Sequence, residues 1–374
     1  MHIYLDNNAA TPTDPRVLAA FTECSAHPGN PNSTEHAAGR SARRRIAAAA
    51  EAVSNLIDAR PEQISFLPGA TAALSLVIDI CVGQMGVSTI AATTADHPAV
   101  LNRLGTLAQD GLSTALAPVD QRGQVRLDAL ELLVRNRRPQ LVCLIAANNE
   151  VGTITDLAPA CRIARKAGAL VLIDACQAAG KVPLSFQALD CDFLVLSGAK
   201  LYGLPRTAAL ASSYDFAEPA KARFGSPDAP GAVSLGEACR LRAREMRDDE
   251  ARIATLRDHL ENALHSAFPD MHVNGDRDRR LAGTLNFAVP GVPNDAVLAR
   301  LDGQLAMSAG AACNSGADQP SHVLRAMDAP SWVLEGSLRI GIGKFNTRDE
   351  IERASHLLIS TIDSIRTVRS GRHR

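Results

Sequence analysis

At 374 residues, 46% of them hydrophobic but only 3% aromatic, the chain has material for one large core and a smaller one. Its 39 Lys and Arg nearly cancel its 40 Asp and Glu, which argues against a direct nucleic-acid partner or a membrane-surface protein. No apolar run reaches the ~20 residues of a membrane span. The opening "MHIYLDNNAATP" has neither the basic start nor the apolar stretch of a secretory leader. Eight cysteines lie scattered without a C-x-x-C pair, so neither a zinc site nor a disulfide framework is expected. A reducing, cytoplasmic setting is.

Taken in chain order, strand-like and helix-like segments alternate. "QISFLPG" (63–69) reads as strand and turn ahead of an apolar helix from Ala70. "STIAATT" (88–94) precedes a helix after Pro98, and "STALAPV" (113–119) precedes "RLDALELLVRN" (126–136). Then come "QLVCLIAA" (140–147), a helix around 156–167, "ALVLID" (169–174), "DFLVLSG" (192–198) and "RTAALAS" (206–212). Short apolar runs without polar alternation are what strands buried on both faces look like. The expected fold class is therefore α/β, a mostly parallel seven-stranded sheet flanked by helices. A Pro/Gly/Ala-rich stretch (217–233) interrupts the pattern, and a long charged helix over about 234–267 leads out of it. A smaller α+β C-terminal domain follows, with strands near 283–289 and 337–343 and a closing helix from about 347. The expected division is a large domain, 15–245, and a small one, 1–14 plus 246–374.

Polar residues fall at the ends of these strands, where open α/β sheets bind ligands. Lys200 follows "LVLSGA", Asp174 ends "ALVLID" with Gln177 in the next turn, and Asn149 and Glu150 follow "LIAANNE". Thr71 opens a helix and His97 lies just past a strand. Singly, each has a plain structural alternative: a solvated lysine, helix caps for Asp174 and Thr71, a turn position for His97. Together they match the needs of pyridoxal phosphate: a lysine for its Schiff base, an acid for its pyridinium nitrogen and donors around its phosphate.

The chain resembles the cysteine desulfurases, pyridoxal-phosphate enzymes of fold type I in the class-V aminotransferase group. The likeness is carried by "YLDNNAATPTDPRV", "GNPNSTEHAAGR", "GAT", "DHPAV", "NNEVG", "IDACQAAGK", "SGAKLYG", "SAGAACNS" and "SLRIGIGKFNT", in family order over nearly the whole chain. The resemblance implies Lys200 as the Schiff-base lysine, Asp174 on the pyridinium nitrogen and Gln177 on the ring hydroxyl. It implies His97 against the ring face and as proton carrier, Thr71 and Ser197 on the phosphate, and Asn149 and Arg339 on the substrate carboxylate. A bidentate arginine suits that last role because its planar fork matches a carboxylate. Cys313, in a loop rich in small residues, is implied as the nucleophile that takes sulfur from L-cysteine, releases L-alanine and passes the sulfur to an acceptor protein. The resemblance also implies a homodimer.

The pattern departs from the family in three places. Ala199 stands where a phosphate-binding histidine usually precedes the lysine, and Ala72 and Ser75 stand where Glu and Asn follow "GAT". The glycine-rich segment expected after the cofactor lysine is missing, and "ARFGSPDAPGAV" stands in. Removing one charge-assisted hydrogen bond to the phosphate weakens cofactor retention by about 1.5–3 kcal/mol. Looser binding, a replacement donor (Arg206 or Arg223) or a changed dimer interface is therefore expected. Two other functions remain open at this point: a C–S lyase or other class-V activity, and a non-catalytic scaffold in sulfur transfer.

Overall fold

Seven of the apolar runs become the strands of one sheet in a computed structural model that describes residues 2–309 and 320–371. They are β1 (Ile64–Leu67), β2 (Thr89–Thr93), β3 (Ser113–Ala117), β4 (Leu141–Ile145), β5 (Leu170–Asp174), β6 (Phe193–Ser197) and β7 (Ala208–Ser212). Their spatial order is β1-β7-β6-β5-β4-β2-β3. All pairings are parallel except those of β7, which runs antiparallel to both neighbours. The sheet is thus mostly parallel, as the sequence predicts.

Every residue of β4, β6 and β7 is buried, because alternate side chains feed cores on opposite faces. Val142, Leu144, Ile173 and Leu194 pack on one side with Ala160 and Leu235. Leu141, Cys143, Leu172 and Phe193 pack on the other with Leu74 and Val77. The covering helices are α1 (Pro15–Ser25), α2 (Ala37–Ile57), α3 (Ala70–Gly83), α4 (Pro98–Gln109), α5 (Leu127–Arg137) and α6 (Leu157–Lys166). Cys81, Cys143, Cys161 and Cys191 are core residues, and burial pushes all four thiols up.

The stretch 217–233 is not the interruption its composition suggests. It holds α7 (Ala217–Phe224) and the start of α8 (Ala229–Ala267), which begins earlier than the expected 234. Pro230 sits in the first turn of α8, where its missing N–H costs nothing. The far half of α8 supplies Leu256, Leu260 and Leu264 to a separate core. That core also takes β8 (Thr284–Ala288), β9 (Leu338–Gly341) and α9 (Arg348–Gly371) through Leu285, Phe287, Ile340, Leu358 and Ile362. Strands β8 and β9 are antiparallel.

The segment around residues 3–11 ties the two cores together. Ile3 and Leu5 lie in the second core, Ile3–Tyr4 pairs in parallel with Leu305–Ala306, and Asp6 bridges to Gly341. The chain then crosses to the turn after β6. There the Thr11 N–H donates to the Ala199 carbonyl and the Tyr202 N–H donates to Thr11 Oγ1, both at 2.9 Å. Register completes the placement. Ile145 lies beside Asp174, Asp174 beside Val195, and Ser197 beside Ala208, which pairs with Leu67. The C-terminal ends of β1, β4, β5 and β6 therefore share one edge of the sheet.

Candidate active site

The loop from β1 into α3 sets one wall of the site. Gly69, at φ 127°, takes the cap position of α3, a conformation glycine alone adopts easily. No side chain caps this helix. Thr71 is therefore a first-turn residue rather than the cap, and the opening N–H groups of α3 remain for a ligand.

Lys200 closes the single turn Gly198–Lys200 beyond β6; it is half-buried, and its Nζ donates to the Ala9 carbonyl. Asp174 Oδ1 accepts from the Cys176 N–H at 3.0 Å, and the Cys176 thiol also hydrogen-bonds to this carboxylate. His97 is the cap of α4: its Nδ1 accepts from the Ala99 N–H at 3.1 Å, which puts the proton of the neutral ring on Nε2. Burial holds this imidazole below its ordinary pKa, against the pull of Asp174. Gln177 is fixed at both ends. Lys181 Nζ donates to its Oε1 and its Nε2 donates to the Asn8 carbonyl, both at 2.8 Å.

Arg339, on β9, is 1% exposed; its Nη2 donates to Asp6 Oδ1 at 2.8 Å and its Nη1 to the Asn149 carbonyl at 3.2 Å. Its Nε is buried and finds no partner among the described residues. Next to Asn149, burial pushes the Glu150 carboxyl up to about 7, although Ser321 Oγ donates to it. Asp96, beside His97, is likewise pushed up to about 7 by burial.

Thr71, His97, Asn149, Asp174, Gln177, Ser197, Lys200 and Arg339 all line one cavity of about 800 Å³. Arg206 and Arg223 line it too. Cys313 lies outside the described residues. Asp6, Asn8, Ala9 and Lys181 also support the site, although their residue types at those positions do not advertise it. Asn8 and Ala9 take part through backbone carbonyls, which carry no residue-type signal, and Asp6 meets its arginine only through the small core.

The class-V aminotransferase profile matches residues 3–217 and 206–354. This chain belongs to that family. Within it, the chain is 32% identical to the cysteine desulfurase IscS of Rickettsia akari, over 97% of this chain and 92% of that one. It is 33% identical to the IscS of Shewanella baltica, over 97% and 93%. A solved NifS-like protein superposes with a TM-score of 0.86 at 28% identity, covering 98% of this chain and 100% of the other. The NifS-like protein of Rickettsia africae gives 0.85 at 26% identity, with 98% and 100% covered.

Class-V aminotransferases of the cysteine desulfurase kind depend on pyridoxal phosphate, and the cavity fits that group. The uncapped start of α3 would suit a phosphate, the Asp174 carboxylate a pyridinium N–H and the Lys200 amine an aldehyde. The orphaned Nε of Arg339 suits a substrate carboxylate.

Proposed function

We propose that this class-V aminotransferase family member is a pyridoxal-phosphate-dependent cysteine desulfurase. It converts L-cysteine to L-alanine, leaves the sulfur on Cys313 as a persulfide and hands it to an acceptor protein. The observation that carries the reading is the convergence of Lys200, Asp174, His97 and Arg339 on one cavity at the ends of the parallel strands. Lys200, Asp174, Gln177, Thr71, Ser197 and His97 would hold the cofactor; Asn149 and Arg339 would hold the substrate. When bound, the cofactor supplies an electron-withdrawing pyridinium ring conjugated to the substrate α-carbon.

The protein's part is positioning and proton transfer. With the cofactor bound, the Asp174 carboxylate would keep the ring nitrogen protonated, and Gln177, immobilised by Lys181 and Asn8, would offer its remaining Nε2 hydrogen to the ring hydroxyl. Lys200 Nζ removes and returns the proton on the α-carbon. His97, kept neutral by burial, moves the proton on the substrate thiol. The Cys313 thiolate then attacks the substrate sulfur. The new S–S bond forms as the Cβ–S bond breaks, and the released electron pair stays on carbon until protonation gives the alanine methyl. L-cysteine and one thiol thus yield L-alanine and one persulfide, with no outside oxidant. Cys176 is no rival nucleophile: it is the only described cysteine lining the cavity, and burial together with Asp174 holds its thiol protonated.

The reading includes a homodimer, a division into 15–245 and 1–14 plus 246–374, and a cytoplasmic setting. All seven described cysteines are unpaired, and no described helix is long and apolar enough to cross a membrane. The test is product analysis with L-cysteine and a reductant. Alanine is expected, with none from Cys313→Ala, and Lys200→Ala should lose the near-visible cofactor absorbance. Pyruvate and ammonia in place of alanine would indicate a lyase, and parental alanine production by Cys313→Ala would sink the persulfide step.

A further inference from the structure

Two arginines on the cavity wall keep very different company. Arg223, on α7, is committed: its guanidinium pairs with Asp79 of α3, which also pairs with Arg103 at 2.6 Å. Arg206 lies on the β6–β7 loop, and its guanidinium makes no hydrogen bond or ion pair with any described residue. The loop brings it to the start of α3, since a Cβ built on the cap residue Gly69 would meet the Arg206 Cα at 3.9 Å. Arg206 itself sits at φ 61°, the left-handed region that a branched or long side chain seldom adopts. Such a conformation is kept where the surroundings require it, commonly at a ligand clamp.

An uncommitted guanidinium and the uncapped start of a 14-residue helix, on one cavity wall, are what a phosphate monoester needs. We propose that Arg206 binds the cofactor phosphate from within the same subunit, alongside the first N–H groups of α3. It is the cation of that subsite. Arg223 acts behind it, holding α7 to α3. This inference rests on the cavity being the pyridoxal-phosphate site, so the experiment separates the two.

Apoprotein is titrated with pyridoxal phosphate and, in parallel, with pyridoxal, which lacks the phosphate. Arg206→Gln should raise the Kd for pyridoxal phosphate on the order of 10- to 100-fold, the range for deleting one charge-assisted hydrogen bond, and leave the Kd for pyridoxal unchanged. Arg206→Gly, which suits the left-handed backbone and so keeps the loop folded, should do the same. Arg206→Lys should recover part of the affinity. Inorganic phosphate should compete with the cofactor in the parent and compete less in Arg206→Gln. Unchanged affinity for pyridoxal phosphate in both the Gln and Gly variants overturns the proposal. An equal fall for pyridoxal overturns it too, because the residue would then be shaping the loop. A parent protein that binds neither compound defeats the cofactor reading itself.

Discussion

Arg339→Gln separates what this arginine does for the fold from its proposed role in holding the substrate. The substitution breaks an ion pair whose partners are 1% and 19% exposed and leaves the Asp6 carboxylate behind. A fully buried orphan charge costs about 3–5 kcal/mol. Asp6 keeps some solvent, and its Oδ2 still accepts from Ser308 Oγ at 2.9 Å, so a destabilisation of about 2–3 kcal/mol is expected. In the proposed role on the substrate carboxylate, one of two charge-assisted bonds would become a neutral amide hydrogen bond and the other would disappear. That corresponds to a drop of about 10- to 100-fold in kcat/KM for L-cysteine, carried mainly by KM. Adding Asp6→Asn removes the orphan charge. The double variant should regain most of the stability in urea unfolding, yet keep the raised KM and the parental affinity for the cofactor. A single variant with unchanged KM, or a double variant that regains KM along with stability, would refute the assignment of Arg339 to the substrate carboxylate.

Two other variants probe residues adjacent in sequence to the cavity lining, Glu150 beside Asn149 and Gly198 beside Ser197. Glu150 has its carboxyl raised from 4.5 to about 7 by burial, so the stability it contributes is full below pH 4.5 and is lost as pH rises through about 7. Glu150→Gln removes that dependence. Its midpoint of thermal unfolding, relative to the parent, should be higher at about pH 8.5 than at about pH 5.5, and a pH-independent difference would contradict the burial argument. Gly198→Ala puts a Cβ 2.1 Å from Thr207 Oγ1 and 3.0 Å from the Leu204 carbonyl. The lysine loop must shift, at a cost of about 1–3 kcal/mol in thermal or urea unfolding. Adding Thr207→Ala should return part of it; no recovery would mean that the clash is with the backbone alone.

The sheet was legible because its central strands are covered on both faces, so their apolar runs had no alternation to confuse with a surface helix. Helix starts were harder. In 217–233 the prolines read as breakers, yet Pro219 and Pro230 both fall in first turns, where no intrahelical N–H is needed. Among site residues, those whose type advertises chemistry at a strand end could be picked out one by one. His97 shows the limit of such reading, since the cap and the cavity residue proved to be one side chain in both roles. Hydrogen bonds made by the Asn8 and Ala9 carbonyls leave no trace in residue type. Nor does any local pattern reveal that Asp6 will meet Arg339.

That last pairing spans 333 positions of sequence. A nascent chain emerging from the ribosome can build the parallel strands first, but the cavity wall stays unfinished until β9 arrives to bridge the segment around Asp6. Loading with vitamin B6 accordingly waits for residues 338–341, and a chain cut short before them would keep its parallel strands yet lack a closed pocket.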